Sequence, residues 1–105
     1  MFEMIKVDPI ALKSARLYLK ALRQDDVRFD SAWLFGSFVN GRFTEDSDID
    51  IALVMKDVRD KFMQEVELTK YRRQIDLRIE PHIIASSELD TLFSQEILRT
   101  GIQLI

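Results

Sequence analysis

Apolar residues change their spacing several times along this chain, and each change marks an element. Ala11, Ala15, Tyr18, Leu19 and Leu22 recur every three or four positions, while Lys13, Arg16, Lys20 and Arg23 take the opposite face. One buried stripe and one charged stripe make a surface helix. The stretch "VDPIALKSARLYLKALRQDD" is therefore read as the first helix. Asp8 caps it, and Pro9 stands at the first helical position, where a missing N–H leaves nothing unpaired. A polar loop follows from Gln24 to Asp30.

The period then drops to two. "AWLFG" reads as a short buried strand ending at Gly36. In "DIDIALVM", Ile49, Ile51 and Leu53 point one way, and Asp48, Asp50, Ala52 and Val54 the other. Residues 58–71 return to helical spacing, with Val58, Phe62 and Val66 expected on the buried side. "QIDLRIE" predicts a third strand, in which Ile75, Leu77 and Ile79 alternate with Asp76, Arg78 and Glu80, and Pro81 ends or redirects it. "SSELDTLFSQEILRTG" predicts a closing helix, capped by Ser86 or Ser87 and stopped by Gly101, with Leu92, Phe93, Ile97 and Leu98 inward. "IQLI" is a terminal extended piece. The expected fold class is α+β: a small mixed sheet with helices packed on it, in a two-layer α/β arrangement.

Composition narrows this further. A chain of 105 residues is expected to be one domain, residues 1–105. Apolar residues make up 47% and charged residues 31%, enough for a core and its cover. No run approaches the ~20 apolar residues of a membrane span, so no membrane partner is expected. The start carries no cleavage signature, and there is no cysteine for disulfides or thiolate metal sites, so a cytoplasmic protein is expected. The net charge of −3 argues against nucleic acid as a partner, since a dedicated backbone binder carries a basic excess. The local cluster of Arg72, Arg73 and Arg78 is read as a solvated face. "FEMIKV" and "IQLI" are apolar ends that either finish the core or meet another subunit, so homo- and hetero-oligomers both stay open.

The chemistry lies in "LFGSFVNGRFTEDSDIDIALVM". Gly36 and Gly41 have the spacing of a phosphate-binding P-loop, but Arg42 and Phe43 stand where lysine and a hydroxyl are required, and no long helix can follow. Asp46, Asp48 and Asp50 mimic the start of a calcium loop, but Ile51 replaces its glycine and Asp57 its bidentate glutamate. The strand reading fits better. Residues two apart on a strand sit ~6.5 Å apart on one face, so Asp48 and Asp50 can aim two carboxylates at one spot. Their repulsion asks for a cation. A pair of divalent ions, as used in nucleotidyl transfer, meets that demand, and hard oxygens favour Mg²⁺, with Mn²⁺ as a second choice. Asp76, on the next strand, would complete a three-carboxylate cup if the strands are neighbours. A glycine after a strand lets phosphate approach the backbone, and Ser37 adds a hydroxyl and an N–H, so a triphosphate can lie between Gly36–Ser37 and the carboxylates.

An apolar strand, Gly-Ser, about ten residues, Asp-hydrophobic-Asp-hydrophobic and a later acid: this arrangement resembles the nucleotidyltransferase superfamily related to DNA polymerase beta. The chain is most similar to the minimal nucleotidyltransferase (MNT) domains, from about Ala32 to Asp76 and more weakly through "FSQEILRTGIQLI". The resemblance implies that Asp48, Asp50 and Asp76 bind the metals and that Asp76 helps deprotonate the attacking hydroxyl. It implies that Gly36 and Ser37 hold the phosphates of ATP or another nucleoside triphosphate. It also implies a helical HEPN partner, as in toxin–antitoxin pairs, with AMP transferred onto that partner in some cases. One departure is Val39-Asn40-Gly41 where many relatives have Ala-Arg before the second glycine; Arg42, just after it, is the candidate replacement cation. The competing expectations are a non-catalytic nucleotide-binding antitoxin and a transferase acting on a small molecule or an RNA end.

Overall fold

The computed structural model describes residues 7–105. The apolar start, residues 2–6, lies outside them. Helix α1 spans Pro9–Gln24, with Asp8 Oδ1 accepting the Ile10 N–H. Strand β1 (Ser31–Phe35) leads through Gly36 into the one-turn helix α2 (Ser37–Asn40). Strand β2 (Ile49–Met55) follows. Helix α3 (Lys61–Thr69), capped by Asp60, crosses over to strand β3 (Ile79–Ala85). Helix α4 (Leu92–Thr100) and the two-residue strand β4 (Ile102–Gln103) close the chain.

Within the described residues the strands form one sheet in the order β3-β2-β1-β4. The β2–β3 pair is parallel, and β1 is antiparallel to both β2 and β4, so the sheet is mixed as expected. A parallel pair needs a crossover, and α3 supplies it. One face carries Ala32, Leu34, Ile49, Ile51, Leu53, Ile79 and Ile83 against Ala11, Ala15, Tyr18, Leu19 and Leu22 of α1. Burying each large side chain of this set contributes about 1.5–3 kcal/mol. On the other face Ala52, Val54 and Ile84 pack with Ile97 of α4, and Trp33, Phe35 and Leu89 flank them. Ile102 and Leu104 of the terminal piece pack on the larger core. No helix among the described residues is long and apolar enough to cross a membrane.

Three expectations need correction. Strand β3 is Ile79–Ala85, not residues 74–80. Pro81 sits inside it, which an edge strand tolerates because no further strand needs its N–H. The true alternation is Ile79, Pro81 and Ile83 inward, with Glu80 and His82 on the other face. Asp76 instead accepts the Arg78 N–H at 3.0 Å on Oδ1, an Asx-turn that precedes the strand. Second, α3 is shorter than residues 58–71, and it buries Leu68 rather than Phe62 and Val66, which are 71% and 40% exposed. The helix is held at the sheet edge by polar groups: Tyr18 Oη donates to the Leu68 carbonyl, and Glu65 accepts the Ile83 N–H of edge strand β3. Third, α4 starts at a Thr91 cap, not at Ser86 or Ser87. It buries Ser94 and Ile97 and leaves Leu92 and Phe93 exposed.

Candidate active site

The site is built where β1 ends and β2 begins. Antiparallel pairing sets Phe35 opposite Asp50, so Gly36 turns away directly beside that carboxylate. Gly36 has φ +82° and ψ −150°, a region open essentially to glycine alone. A methyl group placed there would overlap Asp50 Oδ2. Position 36 therefore excludes a side chain twice, once by its backbone and once by the acid it touches. Ser37 is half-buried at the first position of α2, and Gly41 closes that turn in the left-handed region at φ +80°. Arg42 follows, exposed, with its N–H bonded to Asn40 Oδ1.

Strand alternation gives Asp50 the face of Ala52 and Val54, away from α1. Asp48, two residues earlier, is exposed and stands just before β2. Parallel pairing brings Glu80 into register with Asp50, and His82 with Ala52. Glu80 pairs with Arg72 at 3.0 Å, and the same guanidinium nitrogen donates to the Ile79 carbonyl at 2.8 Å. His82 Nε2 lies 3.0 Å from Asp50 Oδ1. Beside Gly36 a cleft of about 380 Å³ opens between α2 and α4, with Phe35, Val39, Phe93 and Ile97 as its apolar walls and Asn40, Glu96 and Thr100 as its polar groups.

Asp76 is not in this group. It receives Ser14 Oγ of α1 at 2.9 Å, and Arg78 grips it with Nε at 3.0 Å and Nη2 at 2.8 Å. Helix α1 covers the face opposite to that of Asp50. The bonds from Arg78 outweigh burial and hold the Asp76 carboxyl at about 2, below the usual 3.8. Arg78 also donates from Nη1 to the Glu45 carbonyl, so this pair fastens the acidic loop to α1 and to the head of β3. The expected cup of Asp48, Asp50 and Asp76 is thus not assembled; the acid that shares the face of Asp50 is Glu80. The signal for it was present in the sequence, because "IEPHI" alternates as "IDI" does, but Pro81 masked it.

Among the described residues no three acidic or imidazole side chains stand ready as a metal cage. The donor chemistry of Asp48, Asp50 and Glu80 nevertheless fits a hard divalent cation, being carboxylate oxygen throughout. The glycine turn brings bare backbone directly against the Asp50 carboxylate.

Residues 18–105 match the family Polbeta, described as Polymerase beta, Nucleotidyltransferase. Solved structures agree in fold. A candidate nucleotidyltransferase from Sulfolobus solfataricus superposes with a TM-score of 0.66 at 17% identity, covering 96% of this chain and 90% of that one. A chain of a toxin–antitoxin structure with AMP-PNP reaches 0.65 at 26% identity, covering 90% of this chain and 72% of that one. A chain of the tri-AMPylated Shewanella oneidensis HEPN toxin in complex with MNT antitoxin reaches 0.61 at 23% identity, covering 90% and 71%. No curated protein matches the chain.

Proposed function

Because this chain belongs to the Polymerase beta nucleotidyltransferase family, we propose that it transfers AMP from ATP to a hydroxyl of a helical HEPN-type partner, as the MNT antitoxin of a toxin–antitoxin pair. One observation carries the reading: Gly36, which no side chain can replace, lies against the carboxylate of Asp50. Phosphate needs such a bare backbone, and nucleotidyl transfer needs a carboxylate next to it. The relatives supply the partner class, since two of the similar structures are toxin–antitoxin complexes, one with AMP-PNP and one with an AMPylated HEPN toxin.

In this reading the Gly36–Ser37 turn receives the triphosphate, and Arg42 offers it a cation from beyond the turn. The nucleoside lodges in the cleft between α2 and α4, against Phe35, Val39, Phe93 and Ile97. Asp48 and Asp50 hold divalent metal, and Glu80, rather than Asp76, is the third acid. Bound Mg²⁺ supplies charge neutralisation at the phosphates and a more acidic attacking hydroxyl. The hydroxyl oxygen bonds to the α-phosphorus, the bond to the pyrophosphate oxygen breaks, and the hydroxyl proton passes to a carboxylate of the face or to solvent. Asp76 has a structural role only.

The test is incubation of the purified chain with α-labelled ATP, Mg²⁺ and its helical partner. Label should appear on the partner, and Asp50→Asn should abolish it. Neutralisation of the partner without label, under every nucleotide and divalent ion tried, would replace transfer with simple blockade.

A further inference from the structure

The transfer chemistry leaves His82 unused, yet its placement is specific. It stands on β3 opposite Ala52, two residues beyond the Asp50–Glu80 pair and so on the same face. Its Nε2 is 3.0 Å from Asp50 Oδ1. Its ring meets Phe35 edge-on, with centroids 5.0 Å apart and planes at 68°, and lies 6.5 Å from the ring of Phe93. Phe35 is itself the β1 partner of Asp50. The imidazole is therefore braced by aromatic rings from β1 and α4 while its nitrogen reaches the acid.

An ionised carboxylate only accepts hydrogen bonds, so the tautomer that makes this contact has Nε2–H as donor and Asp50 Oδ1 as acceptor. The other oxygen, Oδ2, is the one that a methyl group at position 36 would strike. One oxygen of Asp50 thus faces a protein donor and the other faces the glycine turn. Carboxylate groups rotate broadly about their last torsion unless something fixes them. Here a braced donor holds one oxygen, and the bare glycine backbone lies against the other.

We propose that His82 is a positioning residue that donates Nε2–H to Asp50 Oδ1 and so keeps Oδ2 turned toward the Gly36–Ser37 turn for the metal and phosphates. This rests on the transferase reading above. Its chemistry is that of an outer-shell partner, which orients a ligand without touching the ion, and loss of such a partner commonly costs about 10- to 100-fold in metal affinity.

Three proteins are compared: wild type, His82→Phe, which keeps a ring against Phe35 and Phe93 without a donor, and His82→Gln, which keeps an N–H donor. The first readout is Mn²⁺ binding without nucleotide, by electron paramagnetic resonance of the free ion, with a thermal melt to establish folding. His82→Phe should bind Mn²⁺ about tenfold more weakly, and His82→Gln should recover most of that loss. In label transfer, His82→Phe should need more Mg²⁺ for half-maximal rate while keeping most of kcat at saturating metal. If His82→Phe does not fold, His82→Leu against His82→Gln asks the same question. Unchanged or tighter Mn²⁺ binding by His82→Phe overturns the inference alone, as does a His82→Gln variant as weak as His82→Phe. A folded wild type that takes up no Mn²⁺ removes the transferase reading and this inference with it.

Discussion

Replacing Asp76 with Asn separates a structural acid from a catalytic one. The Asp76 side chain is 13% exposed and receives two guanidinium nitrogens, one backbone N–H and the Ser14 hydroxyl. Its carboxyl titrates at about 2 in the folded chain against 3.8 for the free group. At ~1.4 kcal/mol per unit, that difference is on the order of 2 kcal/mol of stability. The folded value is depressed, so this stabilisation is fully present above the unfolded value. It is lost as pH falls from 3.8 through about 2. Asp76→Asn should therefore cost roughly 2 kcal/mol at neutral pH, which for a domain of this size lowers Tm by about 10 °C. Urea denaturation of both proteins over a pH series is the assay. The gap between them should be constant from neutral pH down to about 4 and narrow below that. Transfer rate per folded molecule should stay at the wild-type level. An Asp76→Asn chain with unchanged stability and abolished transfer would refute the reasoning and return Asp76 to the catalytic set.

Other substitutions test the remaining parts. Gly36→Ala must accept a left-handed backbone and displace Asp50, so it should cost about 1–3 kcal/mol and remove transfer, read by melting and label incorporation. Glu80→Gln should leave the melt nearly unchanged, since its ion pair with Arg72 is partly exposed, yet abolish transfer; full activity would remove Glu80 from the site. Glu65→Ala leaves the Ile83 N–H of the β3 edge without its acceptor, which should cost about 1–3 kcal/mol and speed exchange of that amide, whereas Glu65→Gln should be mild. Tyr18→Phe removes the buried bond to the Leu68 carbonyl and should lower stability by about 1–2 kcal/mol with activity intact. Burial pushes the Tyr18 hydroxyl well above its ordinary value, so this bond should hold across the neutral and mildly basic range.

The sequence carried its strongest signals where one physical demand acted alone. Helix α1 announced itself through a cap, a proline and a clean stripe, and its bounds agree with the reading. Strand β2 was legible because Ile49, Ile51 and Leu53 have nowhere to go but the core. Gly36 fell at the end of β1, directly against Asp50. Strand β3 slipped because two local forces competed. Alternation around Asp76 looked like a strand, but its side chain captured the Arg78 N–H and made a turn instead. Pro81 then hid the real strand, since whether a strand lies at an edge is a tertiary fact. The exposed Phe62 and Val66 were misread for a similar reason. Helical period shows that α3 has an apolar side but not that Glu65 and Leu68 anchor it to the edge.

The central claim is that metal and phosphate meet at Asp48, Asp50 and Glu80, against the Gly36–Ser37 turn. Anomalous diffraction from crystals grown with Mn²⁺ and a non-hydrolysable ATP analogue tests it most directly. Manganese peaks bordered by Asp48, Asp50 and Glu80, with phosphate density at Gly36 and Ser37, are the predicted result. Manganese at Asp76 on the α1 side, or nucleotide density away from the glycine turn, would contradict it.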